Sequence, residues 1–211
     1  MSLMFLDIVL HLDTHLLSLI QQYGEWVYAI LFLIIFAETG LVIAPFLPGD
    51  SLLFVAGALC GMGSMELQVL MPLLMLAAFS GDNTNYWIGR LVGNKLVHRA
   101  NSRFIRREHL DKTHAFYEKH GGKTVMFARF LPIIRTFAPF VAGIGLMRYR
   151  LFLLFSALGS IAWISGMTLA GYFFGNIPLI KNNLTLMVLA IIVISLLPAI
   201  REFIRHRRQR G

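Results

Sequence analysis

Charge is scarce in this chain. Of 211 residues, 14% are charged and 57% hydrophobic, whereas soluble domains carry about 25% charged residues. The scarcity excludes an ordinary water-soluble globule, because the surplus apolar surface has to face lipid or lie inside a membrane bundle. Cysteine is nearly absent. Cys60 stands alone, so no intrachain disulfide can form, and in its apolar stretch it reads as a small core residue. No HExxH or Cys-pair pattern is present, and His98, His109, His114 and His120 cluster without metal-ligand spacing. Neither a metal nor a cofactor is therefore expected. There is no Gly-rich phosphate loop ending in Lys-Ser or Lys-Thr, and no GxSxG. An enzyme acting on lipid phosphates would need a nucleophile or metal set that the chain does not offer, so enzymatic activity is not expected.

Positive charge is missing from residues 1–89, which hold seven acids, while residues 90–211 hold 19 Lys and Arg against four acids. A basic half can signal nucleic acid. In a chain this apolar the positive-inside rule is the better account, and no nucleic-acid partner is expected. The tail 201–211 carries Arg201, Arg205, Arg207, Arg208 and Arg210 and is placed in the cytoplasm. The same rule places the basic stretch 99–123 inside. At the N-terminus, Asp7, His11 and Asp13 interrupt the apolar run and no basic residue precedes it. Residues 1–22 therefore read as an amphipathic interfacial helix rather than a cleavable signal.

Two segments, 151–180 and 182–200, contain no Asp, Glu, Lys or Arg. A span needs about 20 such residues, so transmembrane helices are expected at 151–175 and 182–200. Residues 67–98 read as one long helix. With the tail inside, the last two spans return Arg148 and Arg150 to the inside. The segment 124–147 then starts and ends on that side, so it must enter the membrane and return. Pro132 and Pro139 can break it, since each removes a backbone donor and crowds the preceding turn. Such backbone is tolerated in a membrane only when covered by protein or lining a polar cavity.

Residues 27–65 form a counterpart, with Pro45 and Pro48 at the break. Phe46-Leu47-Pro48 precedes Phe54-Val55-Ala56-Gly57, as Phe130-Leu131-Pro132 precedes Phe140-Val141-Ala142-Gly143. The expected fold is an all-α integral membrane protein. It is an inverted repeat with two opposed re-entrant helical hairpins plus transmembrane helices, residues 23–180 forming the transport core. Paired broken segments of this kind point to a midplane substrate site in transporters.

Four charges sit beside the breaks: Glu38, Asp50, Arg129 and Arg135. A charge at a helix centre costs about 2.5 to 3.5 kcal/mol. Four of them facing lipid unpaired would cost roughly 10–14 kcal/mol. They must pair, face a wet cavity, or both. Two arginines offer planar forks suited to a phosphate, and two carboxylates in a low-dielectric cavity are placed to take and release protons. Structural ion pairs that fix the hairpins are the alternative. Asp82, Tyr86 and Arg90 lie at i, i+4 and i+8 on one helix face. That face either lines the same cavity, with Asp82 a third proton site, or marks a kink with Arg90 at the cytoplasmic interface.

Four stretches resemble the DedA family of bacterial membrane proteins, related to the eukaryotic VTT-domain (SNARE-associated Golgi) proteins. They are Glu38-Thr39-Gly40 running to Pro48-Gly49-Asp50-Ser51-Leu52-Leu53, Gly81-Asp82 through Tyr86 to Gly89-Arg90, Tyr117-Glu118-Lys119-His120-Gly121-Gly122-Lys123, and Phe127-Ala128-Arg129-Phe130-Leu131-Pro132 through Arg135 to Pro139. The resemblance implies two opposed re-entrant hairpins and an activity that depends on Glu38, Asp50, Arg129 and Arg135. It also implies lipid movement across the bacterial inner membrane, linked to the proton motive force, with undecaprenyl phosphate and phosphatidylethanolamine as candidate lipids. The expected function is a flippase- or scramblase-like transporter. Arg129, Arg135, Asp82, Tyr86 and Arg90 would hold the headgroup, and Glu38 and Asp50 would carry protons. A proton-coupled ion antiporter is the alternative, and a homo-oligomer is left open.

Overall fold

Long apolar runs with few breakers favour helix, and helix is what forms. The computed structural model describes residues 12–41, 49–98, 122–129, 131–174 and 177. Among these residues the regular structure is α1 (Leu12–Tyr23), α2 (Trp26–Gly40), α3 (Gly49–Gly61), α4 (Leu67–His98), α5 (Lys123–Ala128), α6 (Pro132–Ile144) and α7 (Tyr149–Phe174), with no strand. Pro45 and Pro48, the basic stretch up to residue 121, and the expected span 182–200 with its tail lie outside the described residues.

Length separates the helices. At 1.5 Å per residue, the 26 residues of α7 reach about 39 Å, more than the roughly 30 Å of a hydrocarbon core. Among the described residues α7 is the one helix both long and apolar enough to cross a membrane. The apolar helices α2, α3 and α6 have 15, 13 and 13 residues. They reach only about 20–22 Å.

The ends of these helices follow local chemistry. Gly63 closes α3 at φ +79°. Its N–H donates to the Cys60 carbonyl and that of Ser64 to the Leu59 carbonyl, both at 3.0 Å, which is a Schellman cap. The end of α6 repeats the pattern, with Leu146 N–H on Gly143 O at 3.2 Å and Met147 N–H on Ala142 O at 3.1 Å. Here the left-handed position is Leu146, at φ +52°. Between α5 and α6 the chain extends at Leu131, φ −114° and ψ 106°, because a residue before proline is driven out of the helical region. Pro132 then opens α6. Pro139 behaves otherwise than expected: it lies inside α6 and does not break it. It removes one backbone donor, and the buried neighbours Ala138, Ala142 and Gly143 hold the helix across it.

The residues sort into two compact units. The first comprises residues 12–34, 49–74 and 163–174 of the described chain. Its core is α3, buried on every side from Gly49 to Cys60. Gly57 packs on the Thr168 carbonyl of α7, and Gly171 of α7 packs on the Phe54 carbonyl. A β-carbon at either glycine would overlap that carbonyl oxygen.

The second unit comprises residues 35–41, 75–98, 122–129 and 131–162. Tyr86, Val125, Ala142, Met147 and Phe152 form its buried cluster. Here Gly143 packs on the Tyr86 carbonyl of α4, and Gly89 of α4 on the Phe140 carbonyl. Each Phe-Val-Ala-Gly stretch therefore makes the same reciprocal contact within its own unit. Its phenylalanine carbonyl and its glycine meet a glycine and a carbonyl three residues apart on a longer helix. Small residues let helix backbones approach this closely.

Candidate functional site

The second unit gathers five of the charged residues singled out in the sequence, and four of them form ion pairs. The last turn of α2 crosses α4 at two glycines, and a β-carbon on Gly40 would lie 3.3 Å from the Gly81 backbone. That close approach brings Glu38, fully buried at 0% exposure, beside α6. There its Oε1 accepts a hydrogen bond from Arg135 Nη2, and the two form an ion pair. At the next residue of α4, Asp82 Oδ2 accepts from Arg129 Nη2, the second ion pair. Arg129 caps the C-terminal end of α5. Gly159 of α7 leaves room for it, since a β-carbon there would come within 2.9 Å of Arg129 Cδ. Asp82, Arg129 and Arg135 are 3%, 4% and 7% exposed, so both pairs are shut away from the surroundings.

Further groups hold the pairs. Ser156 Oγ donates to the same Asp82 oxygen at 2.6 Å. Asn85 is fully buried, and its Nδ2 donates to the Thr39 carbonyl at 3.0 Å and to the Thr136 carbonyl at 2.7 Å. Those carbonyls belong to the residues that follow Glu38 and Arg135, so one amide ties the backbones of both partners of an ion pair. Asn85 and Ser156 were not singled out by the sequence reading. Each had a signal: Asn85 follows Asp82 by three residues on the same helix face, and Ser156, Ser160 and Trp163 form a polar stripe at i, i+4 and i+7 in a span without charges.

Tyr86 and Arg90 continue the face of α4 away from Asp82. Tyr86 is buried, donates to the Met147 carbonyl at 2.6 Å, and stacks on Phe152 at 4.4 Å between ring centroids. Arg90 is half-buried, with Nη1 3.0 Å from the Tyr86 hydroxyl and its guanidinium 5.6 Å from the centre of the Trp87 ring.

Asp50 lies in the first unit, in the opening turn of α3, and Trp163 Nε1 donates to its Oδ1 at 2.7 Å. Within the second unit, Arg129 pairs with the Asp82 carboxylate. Among the described residues no three His, Cys, Asp or Glu side chains are grouped to hold a metal ion. Pro132 opens α6 immediately after the break that follows Arg129.

The chain matches the VTT domain over residues 47–173. It is 57% identical to Protein DedA of Escherichia coli (strain K12) over 205 residues, covering 96% of this chain and 94% of that protein. It is 47% identical to an uncharacterized membrane protein of Mycobacterium leprae (strain TN), covering 79% of this chain and 75% of the relative. It is 33% identical to the inner membrane protein YghB of Escherichia coli (strain K12), covering 81% and 75%. No solved structure matches it. The chain belongs to the DedA family of VTT-domain membrane proteins.

Proposed function

We propose that this chain moves the phosphate-bearing headgroup of a lipid, such as undecaprenyl phosphate or phosphatidylethanolamine, across the bacterial inner membrane by proton-gated exchange of buried ion pairs. The observation that carries the reading is the pairing of four buried charges, Glu38 with Arg135 and Asp82 with Arg129. Removing one partner of a buried pair costs about 3–5 kcal/mol, so an arginine leaves its carboxylate only for another anion. A phosphate is such an anion, and its oxygens suit a bidentate contact with the planar fork. A proton arriving on Glu38 or Asp82 releases the arginine to the headgroup. Loss of that proton reforms the pair and expels it. Asp50, held by Trp163, is a further proton site.

In this reading α3 and α6 are the returning limbs of two opposed re-entrant hairpins, and the C-terminus is cytoplasmic. Their lengths, short of a full crossing, support it. So does the shared glycine contact of the two Phe-Val-Ala-Gly stretches, which is what an internal repeat would leave.

The test is headgroup translocation in proteoliposomes, for each of the two lipids, with and without a pH gradient. Wild type should move at least one lipid, and Arg129→Ala and Arg135→Ala should abolish the movement. Transport unchanged in both variants would sink the proposal. Ion-dependent pH changes without any lipid movement would favour the antiporter instead.

A further inference from the structure

A crevice of about 1070 Å³ opens in the first unit, and none of its lining residues belongs to the ion-pair site. Phe32 and Leu33 of α2 form one wall, and Val69 and Leu73 of α4 the other. The rim is made by the turns that precede these two helices and carries Glu25 and Glu66. Glu66 N–H donates to the Tyr28 hydroxyl at 2.8 Å, which ties one turn to the other helix. Both helices begin at the rim, so polarity falls in one direction. The carboxylates stand at the mouth, and Leu33 and Leu73 lie about 10–12 Å further along the helix axes.

The rim keeps a net negative charge. Each carboxylate stands at a helix N-terminus, whose partial charge of about +0.5 offsets half of it. About one unit of negative charge remains over the pair. The described residues of this unit include four acids and no Lys or Arg. Beside the rim, Trp26 is 73% exposed and Tyr23 is 46% exposed. Exposed Trp and Tyr gather at the membrane–water boundary. That sets the mouth at headgroup level and the apolar walls at acyl-chain depth. The volume stands at the upper end of the range for ligand pockets, about 300–1,000 Å³, room for a headgroup and the upper part of a chain.

We infer that this crevice binds a membrane lipid with an ammonium headgroup, its acyl chain lying between α2 and α4 and its ammonium resting on Glu25 and Glu66. The site is separate from the one proposed for transport and does not depend on that proposal.

The experiment is native mass spectrometry of the full chain with equal amounts of phosphatidylethanolamine and its N-acetyl derivative, which keeps the phosphate and chains but lacks the ammonium. Wild type should retain the free amine about fivefold over the derivative, the most that one exposed ion pair supplies. The double variant Glu25→Gln, Glu66→Gln should lose that preference and still bind both lipids. Leu33→Trp, which narrows the walls from an exposed position, should lower retention of both. The preference should survive in Arg135→Ala, which separates this site from the ion pairs. Equal retention by wild type, or a preference unchanged in the double glutamine variant, would overturn the inference. Displacement by free ethanolamine as effective as by the lipid would overturn it too, since the crevice would then be a cation site without a lipid.

Discussion

The Glu38–Arg135 pair allows stability and function to be pulled apart. Arg135→Met removes the guanidinium and leaves the fully buried Glu38 carboxylate without its arginine. Breaking a buried pair in this way costs about 3–5 kcal/mol. At roughly 2–4 °C per kcal/mol for a domain of this size, the melting temperature should fall by about 6–20 °C. Glu38→Leu alone should fall by a similar amount, for it takes the Glu38 carboxylate from Arg135 instead. The double variant replaces the pair by apolar side chains of similar volume, a change that is often neutral or stabilising. Asn85 and the Gly40–Gly81 crossing still hold the surrounding backbone, so the double variant should melt close to wild type. The coupling between the two sites should then be about 3 kcal/mol or more. The assay is thermal unfolding in detergent followed by tryptophan fluorescence, with headgroup transport measured on the same preparations. A double variant that loses the sum of the two single effects would refute the energetic reasoning. A double variant that is stable and transports normally would refute a part for this pair in the exchange, because it keeps the fold and lacks both Glu38 and Arg135.

Substitutions at five other positions test the packing and the backbone. Asn85→Ala takes a donor from two buried carbonyls and should cost about 2–4 kcal/mol, read as a fall in melting temperature; Asn85→Asp, an acceptor facing acceptors, should be at least as severe. Gly57→Val and Gly143→Val put a side chain into a carbonyl of the crossing helix and should each abolish recovery of folded protein by size-exclusion chromatography. Gly166→Ala, with open space around it, should instead gain about 0.5–1 kcal/mol of helix stability. Leu146→Gly relieves a left-handed leucine, a strain of about 1–2 kcal/mol that glycine's extra backbone entropy partly cancels. Its melting temperature should rise by a few degrees.

What could be read from the sequence follows from what spacing encodes. The all-helical membrane class was legible because apolar surplus and charge-free spans are properties of composition. The face of Asp82, Tyr86 and Arg90 was legible because helical periodicity alone places them. Partners were not legible in the same way. Arg135 and Glu38 are 97 residues apart, and Arg129 and Asp82 are 47 apart. Periodicity orders residues on one helix and says nothing about which helices cross. Asp50 stands beside a break, and its hydrogen bond from the Trp163 indole, 113 residues away, has no local signal either. Spacing puts Asn85 on the face of Asp82, but the backbone carbonyls it binds carry no sequence signature. Pro139 reads as a break because proline is a local signal, and buried packing on both sides overrides it.

The two short helices also differ in a way that ranks their charged residues. In α3 the charge is Asp50, in the first turn. An acid there is favoured by the helix dipole, by about 0.3–1 kcal/mol at an exposed site. Asp50 thus has a structural reason to be where it is, besides any part in proton movement. In α6 the charge is Arg135, the fourth residue from an N-terminus that opens with Pro132. A cation in that position works against the same dipole. It is also buried, and an arginine is among the residues least often buried without a partner. Helix stability therefore does not account for Arg135. It is held there by Glu38 on another helix, with Asn85 securing the backbone beside each partner. A group placed against its local electrostatics and kept by a dedicated clamp is better explained by what it binds than by the fold it supports. On this argument Arg135 should be the most sensitive position for transport, and Asp50 the one at which losses of activity and of stability run together.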